Sequence, residues 1–591
     1  MFGLLNNKYE KIFLGSYVLS VLFFSCLLGL PPIRHLIFLI LSLIMIYATG
    51  RIFVSKKKYY RALAVLAIFY CSIFGVTLRT DTVVPLNISD YIIYESFVAS
   101  LAMLIILLLS FINGKILRSI IGVAFIGVTA IPIVIIWAYF FSANAFLTME
   151  ACLAILQTNP SEAWQYVNDF GSFEGFAGLM IVCGGGYICA RTVQLCELKE
   201  NKCKLWRLVC ILIVLNLAMG YRTRENIVGT LIYDTYVYVS QYDNYQKNRQ
   251  RRIENLALLP NISNQGSKGV YVLVIGESET RDHMGSYGYY RATTPVLESM
   301  KTDEKMLVFN KVWSCANDTV SALTYALTNK NQYNDLELEK AFSLIEVANA
   351  AGYKTVWISN QVQYGLADTP ITAIASEAKQ QIWLRDKVGH LKDGRYLDVP
   401  DYYDEKVVSE LENVKYDDKM LIVIHLMGSH NSYRVRYPRE FDKFTGGDFD
   451  EYDNSVLYTD YVLGKILRKC NDMPNFQGML YFSDHGEGID AHVGHDNSNF
   501  TFQMTRIPMT IYLSYDFIKN REAEYQILKN NINEYYTNDL IFELMMGLMK
   551  IESNDIYNEV NNIMSSSYDK SVERFYTSYG KRRIMDDPAY K

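Results

Sequence analysis

The first 221 residues hold one apolar run after another, and this repetition limits the possible folds more than any other feature. Crossing a bilayer as a helix takes about 20 mostly apolar residues. Such runs lie at 12–30, 36–50, 62–78, 93–112, 119–141, 173–191 and 205–221; the second is short and the last carries Arg207. A multi-span α-helical membrane domain is therefore expected at 1–221. Its basic residues set the direction. Lys8 and Lys11, then Arg51, Lys56, Lys57, Lys58 and Arg61, then Lys115 and Arg118, then Arg191, Lys199, Lys202, Lys204 and Arg207 fall in alternate gaps, whereas the intervening gaps hold only Arg34 and Arg79. Basic residues concentrate on the cytoplasmic side. Seven spans with the N-terminus inside then put everything after residue 222 outside. No small-residue cleavage site follows the first run, so it reads as an anchor rather than a removed signal peptide.

Beyond residue 221 the chain turns polar, charged and rich in Tyr. The formal charge of -5 comes without a large basic block, so nucleic acid is not an expected partner. Residues 222–265, with NRQRR at 248–252, read as a linker and interfacial surface helix. The outer-face loop 142–172 has helical periodicity and no basic residue, which suits an amphipathic interfacial helix or a lid that guides a lipid headgroup. Most cysteines lie in or beside the apolar half, where Cys serves as a small apolar residue. Cys315 and Cys470 belong to the exported part, and either a disulfide or two buried free thiols fits them.

From 266 to 591 short apolar runs alternate with helical stretches. GVYVLVIG (269–276), KTVWISN (354–360), KMLIVIHLMG (419–428), GMLYFSD (478–484) and MTIYLSY (509–515) read as strands, and 337–351, 455–469 and 536–551 as helices. That alternation predicts a soluble α/β sandwich on a mainly parallel sheet. Ligands of such sheets bind beyond the carboxyl ends of the strands. Glu277 follows the first strand, and Asp484 and His485 follow another. Carboxylate oxygens plus an imidazole nitrogen suit zinc, and manganese is also acceptable; a structural salt-bridge cluster is the plainer alternative. His430 lies beyond the strand 419–428, and His495 follows Asp484 in DAHVGHDNSNF, so both can share the pocket. In SCANDTVS (314–321) Cys315, Asp318, Thr319 and Ser321 are all chemically competent, and a metal-held hydroxyl would be activated as a nucleophile. These residues alone leave Thr319 and Ser321 open.

Taken in order, GES with YGYYRATTP, SCANDT, WISNQ, HLMGSH, YDNSVLYTDY and SDHGE, together with QTNPSEA at 157–163, resemble the phosphoethanolamine transferases of Gram-negative envelopes. These are membrane-anchored members of the alkaline phosphatase and sulfatase superfamily. The resemblance implies that Thr319 is the nucleophile that carries phosphoethanolamine, and that Glu277, Asp484 and His485 join it as zinc ligands. It implies His430 and His495 as a phosphate-binding or proton-transfer pair able to hold a second metal, with Asn360 and Gln361 lining the substrate pocket. The implied donor is phosphatidylethanolamine. The implied acceptor is lipid A or a lipooligosaccharide core sugar, met at the outer leaflet of the inner membrane by a periplasmic catalytic domain. The chain departs from the pattern at Ala316 and Asn317, where the family often has Gly-Thr, and at Asp318, which adds a negative charge beside the nucleophile. It also lacks the lipid A enzymes' second Cys and their disulfides, which likens it to the core-sugar branch. A phosphoglycerol transferase would share the nucleophile and metal cage. A sulfatase would need Cys or Ser in a C/S-x-P-x-R setting, which 315–318 does not provide. A non-catalytic scaffold would be expected to lack a ligand, and none is missing.

Overall fold

The computed structural model describes residues 8–28, 33–77, 88–143, 147, 151–152, 173–199, 205–223, 227–259, 262, 266–362, 370–385, 403–496, 499–553 and 555–589. These described residues divide into two compact units, one up to Val237 and one from Tyr238.

The first unit is helical: Lys8–Leu28, Ile33–Gly50, Lys56–Cys71, Ile73–Thr77, Ile88–Ser110, Lys115–Ala143, Phe173–Gln194 and Trp206–Thr223. Among the described residues three stretches are long and apolar enough to cross a membrane, Lys56–Val76, Tyr91–Ser110 and Lys115–Phe141; Ile37–Gly50 and Trp206–Tyr221 are shorter apolar helices. They overlie the runs at 62–78, 93–112, 119–141, 36–50 and 205–221. Lys115–Phe141 leaves Ile116, Ile120, Val128 and Ile131 uncovered by protein, as a lipid-facing surface requires. Residues 153–172, with the QTNPSEA motif, lie outside the described residues.

The second unit is built on a seven-stranded sheet. Its strands are β1 (Gly269–Gly276), β2 (Met306–Phe309), β4 (Lys354–Val362), β5 (Gln380–Arg385), β6 (Lys419–His425), β7 (Phe476–Ser483) and β8 (Met509–Leu513); β3 (Val312–Trp313) and β9 (Tyr536–Thr537) pair separately. The order is β2-β8-β7-β1-β6-β4-β5. β7, β1, β6, β4 and β5 run parallel, and β8 and β2 close one edge antiparallel. In β1 the period-2 alternation of a strand feeds two cores. Tyr271, Leu273 and Ile275 enter one with the helices Leu344–Ala350 and Ile541–Met549. Val270, Val272 and Val274 enter the other with Lys406–Glu412 and Asp450–Asn471. Burying each such side chain contributes roughly 1.5–3 kcal/mol, which explains why the run is apolar at every position.

Three features differ from the sequence expectation or settle it. β2 and β5 stand at the sheet edges, where short or polar runs give little pattern to read. Within NRQRR, expected on a surface, Arg252 is buried: it bonds both oxygens of Glu346 at 3.0 and 3.1 Å and Glu377 at 2.9 Å. Cys315 and Cys470 are buried free thiols.

Candidate active site

Parallel pairing gathers the carboxyl ends of β1, β4, β6 and β7 at one edge of the sheet. Gly276 is the register partner of Ser483, so Glu277 and Asp484 leave neighbouring strands side by side. The loop after β6 then closes over Glu277. Gly428 sits there at φ +51°, and a Cβ would stand 2.7 Å from the Glu277 carbonyl oxygen, an approach only glycine permits. Buried Asp404 holds the same loop, accepting from the Met427 and Gly428 amides at 2.8 Å each.

Glu277, Asp484 and His485 are buried, and their donor atoms lie within 4.8 Å of one another. Thr319 opens the helix Thr319–Ala326, whose cap is Asp318 accepting from the Ser321 amide at 2.9 Å. The Thr319 hydroxyl reaches the two Glu277 oxygens at 3.1 and 3.2 Å and His485 Nε2 at 3.4 Å. Ser321 is fully buried, with its hydroxyl 2.8 Å from the Tyr579 phenol. Long-range folding therefore separates two hydroxyls that the sequence leaves equivalent.

The site's electrostatics fit a cation. Asp484 Oδ2 is buried with no hydrogen-bond partner, although Oδ1 accepts from the Ser278 amide at 3.1 Å. Burial and the Glu277 charge push the Asp484 carboxyl up to about 7. Burial also works against Glu277 as an anion, but its hydrogen bond to His485 and the nearby imidazoles outweigh that and hold it well below the usual carboxylate range. For His485 burial favours the neutral ring, yet the charges of Asp484 and Glu277 hold its pKa well above the ordinary value. His485 Nδ1 lies 2.8 Å from the Gly486 carbonyl, which assigns the proton there and leaves Nε2 facing Glu277 at 3.3 Å. Two carboxylates, one oriented imidazole and a hydroxyl form a donor set that zinc fits.

His430 and His495 flank this cluster, their ring centroids 6.3 Å apart, and the His495 ring is 4.8 Å from that of His485. Their surroundings push them in opposite directions. His430 falls to about 4 through burial, with the Arg436 and His495 charges adding to it. Its Nδ1 lies 3.3 Å from the Arg436 guanidinium, which can only donate. For His495 burial is outweighed by the Glu487 carboxylate, 3.0 Å from Nδ1, so its pKa is raised. A pair split in this way suits one imidazole to give a proton and the other to take one. His485, Glu487 and His495 also form a second group with metal-ligating spacing.

Gln361 Nε2 reaches Glu277 at 3.4 Å and the Leu426 carbonyl at 2.9 Å, whereas the Asn360 amide is buried on Asp404 at 2.7 Å. Sequence reasoning passed over Glu487, Arg436, Asp404 and His425. Of these, Glu487 carried a signal, since it lies in the same SDHGEG run as Asp484. His425 ends β6 with neither ring nitrogen hydrogen-bonded, and burial lowers it to about 4; its neighbours come from separate strands that no local pattern links.

Residues 270–551 match the sulfatase family. The chain is 29% identical over 360 residues to phosphoethanolamine transferase EptC of Escherichia coli K12, covering 56% of this chain and 60% of that one. It is 28% identical over 362 residues to phosphoethanolamine transferase CptA of Salmonella typhimurium, with the same coverage of 56% and 60%. The chain thus spans less than two thirds of the length of these relatives. Among solved structures, the integral membrane lipooligosaccharide phosphoethanolamine transferase A of Neisseria meningitidis superposes with a TM-score of 0.53 at 18% identity, covering 85% of this chain and 98% of that one. That likeness shows the fold: a helical unit followed in the chain by an α/β unit.

Proposed function

Starting from a sulfatase-family domain at 270–551, we propose that this chain transfers phosphoethanolamine from phosphatidylethanolamine to an envelope glycolipid through a phospho-threonine at Thr319. The observation that carries the reading is the Thr319 hydroxyl, half-buried and within 3.4 Å of Glu277 and His485. The names of the EptC and CptA relatives support the headgroup.

Glu277, Asp484, His485 and Thr319 would hold zinc (manganese is also compatible), which supplies Lewis acidity to the hydroxyl and the phosphoryl oxygens. In the first displacement Thr319 Oγ1 attacks phosphorus and the P–O bond to diacylglycerol breaks. Glu277, which accepts the Thr319 hydrogen bond at 3.1 and 3.2 Å, takes the hydroxyl proton as the bond to phosphorus forms and returns it to Oγ1 when the second displacement frees the threonine. His495, whose proton Glu487 retains, protonates the departing alkoxide. In the second displacement an acceptor hydroxyl or phosphate attacks the phospho-threonine, and neutral His430 can take its proton. Arg436 throughout, and His495 until it gives up its proton, offset charge on the phosphoryl oxygens. The membrane unit keeps the enzyme beside amphiphilic donor and acceptor, lipid A or a lipooligosaccharide core sugar. Basic residues in alternate gaps support an inner-membrane protein with its catalytic unit in the periplasm.

Intact-protein mass spectrometry after incubation with phosphatidylethanolamine, beside Thr319→Ala, tests this. A phosphoethanolamine increment absent from the variant is the expected result. A phosphoglycerol increment from phosphatidylglycerol, or no adduct in metal-replete protein, would overturn it.

A further inference from the structure

The sulfatase match ends at residue 551, but the chain does not leave the site there. Residues 575–587 return to the strand and loop that carry Thr319. Thr577 Oγ1 donates to the Ser314 carbonyl at 2.6 Å, and the Tyr579 amide donates to the Cys315 carbonyl at 3.0 Å. Trp313 Nε1 donates to Asp587 at 2.8 Å. The Tyr579 ring packs against Cys315, Ala316 and Ala322. Its phenol donates to Asp318 Oδ2, and Ser321 Oγ lies 2.8 Å from the phenol oxygen.

This contact is built on backbone that side-chain-bearing residues rarely adopt. Ser578, Tyr579 and Gly580 follow one another at φ 52°, 59° and 74°. Left-handed conformations at two consecutive non-glycine residues persist only where surrounding bonds over-determine them. Here those bonds run to the nucleophile loop, and Gly580 adds one to Gln332 at 3.1 Å.

The occupied carboxylate belongs to the residue immediately before Thr319 and caps the helix that Thr319 opens. Asp318 adjoins Thr319, and an anion swinging toward the hydroxyl would repel a phosphodiester and compete with Glu277 for the Thr319 proton. In the structure both Asp318 oxygens are engaged elsewhere: Oδ1 on the Ser321 amide, Oδ2 on the Tyr579 phenol.

We propose that Tyr579 is a positioning residue that locks the Asp318 carboxylate into the helix cap and away from Thr319, making the C-terminal tail part of the active site. Its catalytic consequence rests on the transferase reading above; the clamp itself does not.

The test uses the full-length protein in detergent. Deuterium uptake of residues 314–326 reports the clamp, and the rate of adduct formation from phosphatidylethanolamine reports its consequence. Tyr579→Phe should speed exchange in 314–326 and slow adduct formation about tenfold, as expected for losing a hydrogen bond to a charged group. Metal content, read by mass spectrometry, should not change. Adding Asp318→Asn to that variant should restore the rate to within about threefold, because Asn still caps the helix without charge. Unchanged exchange in Tyr579→Phe overturns the clamp. A slowed variant that Asp318→Asn does not rescue overturns the charge argument and leaves a purely structural contact. If the wild-type chain forms no adduct, the transferase reading has failed, and the exchange result alone decides the clamp.

Discussion

Glu487 Oε2 stands 3.0 Å from His495 Nδ1, and the same carboxylate accepts the Tyr433 hydroxyl at 2.7 Å. The pair fixes the ring of His495 and keeps its proton. Replacing the carboxylate by an amide keeps the shape and removes the charge. Glu487→Gln is expected to lower activity roughly 10–100-fold, the usual cost of disturbing a ligand's supporting partner. The sign of the pH effect follows from the raised His495 pKa: without Glu487 the ring loses its proton at lower pH. The alkaline limb of the pH–rate profile should therefore move to lower pH, and an unmoved limb would remove His495 as the acid.

Thr319→Ala should reduce transfer by at least about three orders of magnitude, as removal of a nucleophile does elsewhere. Thr319→Ser keeps the hydroxyl and should retain measurable adduct formation, whereas Ser321→Ala should still form the adduct. Peptide mapping of the modified site checks all three. Modification at Ser321 would contradict the geometry.

Without metal, Asp484 holds a proton up to about 7 and His485 holds one above its ordinary range. Zinc must displace those protons, so binding should release protons and tighten as pH rises through neutrality. Calorimetry in buffers of different ionisation enthalpy should detect the release. Apparent affinity should fall between about pH 8 and about pH 6. Binding that does not vary with pH would mean that another set of residues takes the ion.

Arg252 pairs with both Glu346 and Glu377, and all three side chains are almost completely buried. Removing it takes the guanidinium away from two buried carboxylates. Arg252→Met should destabilise the second unit by about 3–5 kcal/mol, the range for breaking one partner out of a buried pair. Burial and the Glu346 charge already push Glu377 up to about 8. Lowering the pH of the variant should therefore recover part of the loss, because protonation removes the uncompensated charge. Thermal unfolding across pH provides the check.

Much of the fold was legible because it is written in contiguous residues. GVYVLVIG reads as a strand, and it is one; the structure adds that alternate residues enter two cores. The apolar runs at 62–78, 93–112 and 119–141 overlie helices long enough to cross a membrane. In the site, placing Glu277, Asp484 and His485 after strands was enough to foresee that they could meet. The residues that orient them were less accessible, since Arg436, Asp404 and Tyr579 act through partners distant in sequence or through side chains common on any surface.

The division into an apolar helical part and an α/β part follows from the order of residues alone, as do the strand ends from which the acidic and imidazole groups project. Periodicity and strand-end position are local properties, set by neighbours in the chain. Folding in three dimensions was needed to bring Thr319 rather than Ser321 to Glu277, to bury Arg252, and to set Tyr579 on Asp318. Hydrogen bonds depend on separations of a few tenths of an ångström, and the 261-residue spacing between Asp318 and its tail partner is closed only by the packing of the whole unit.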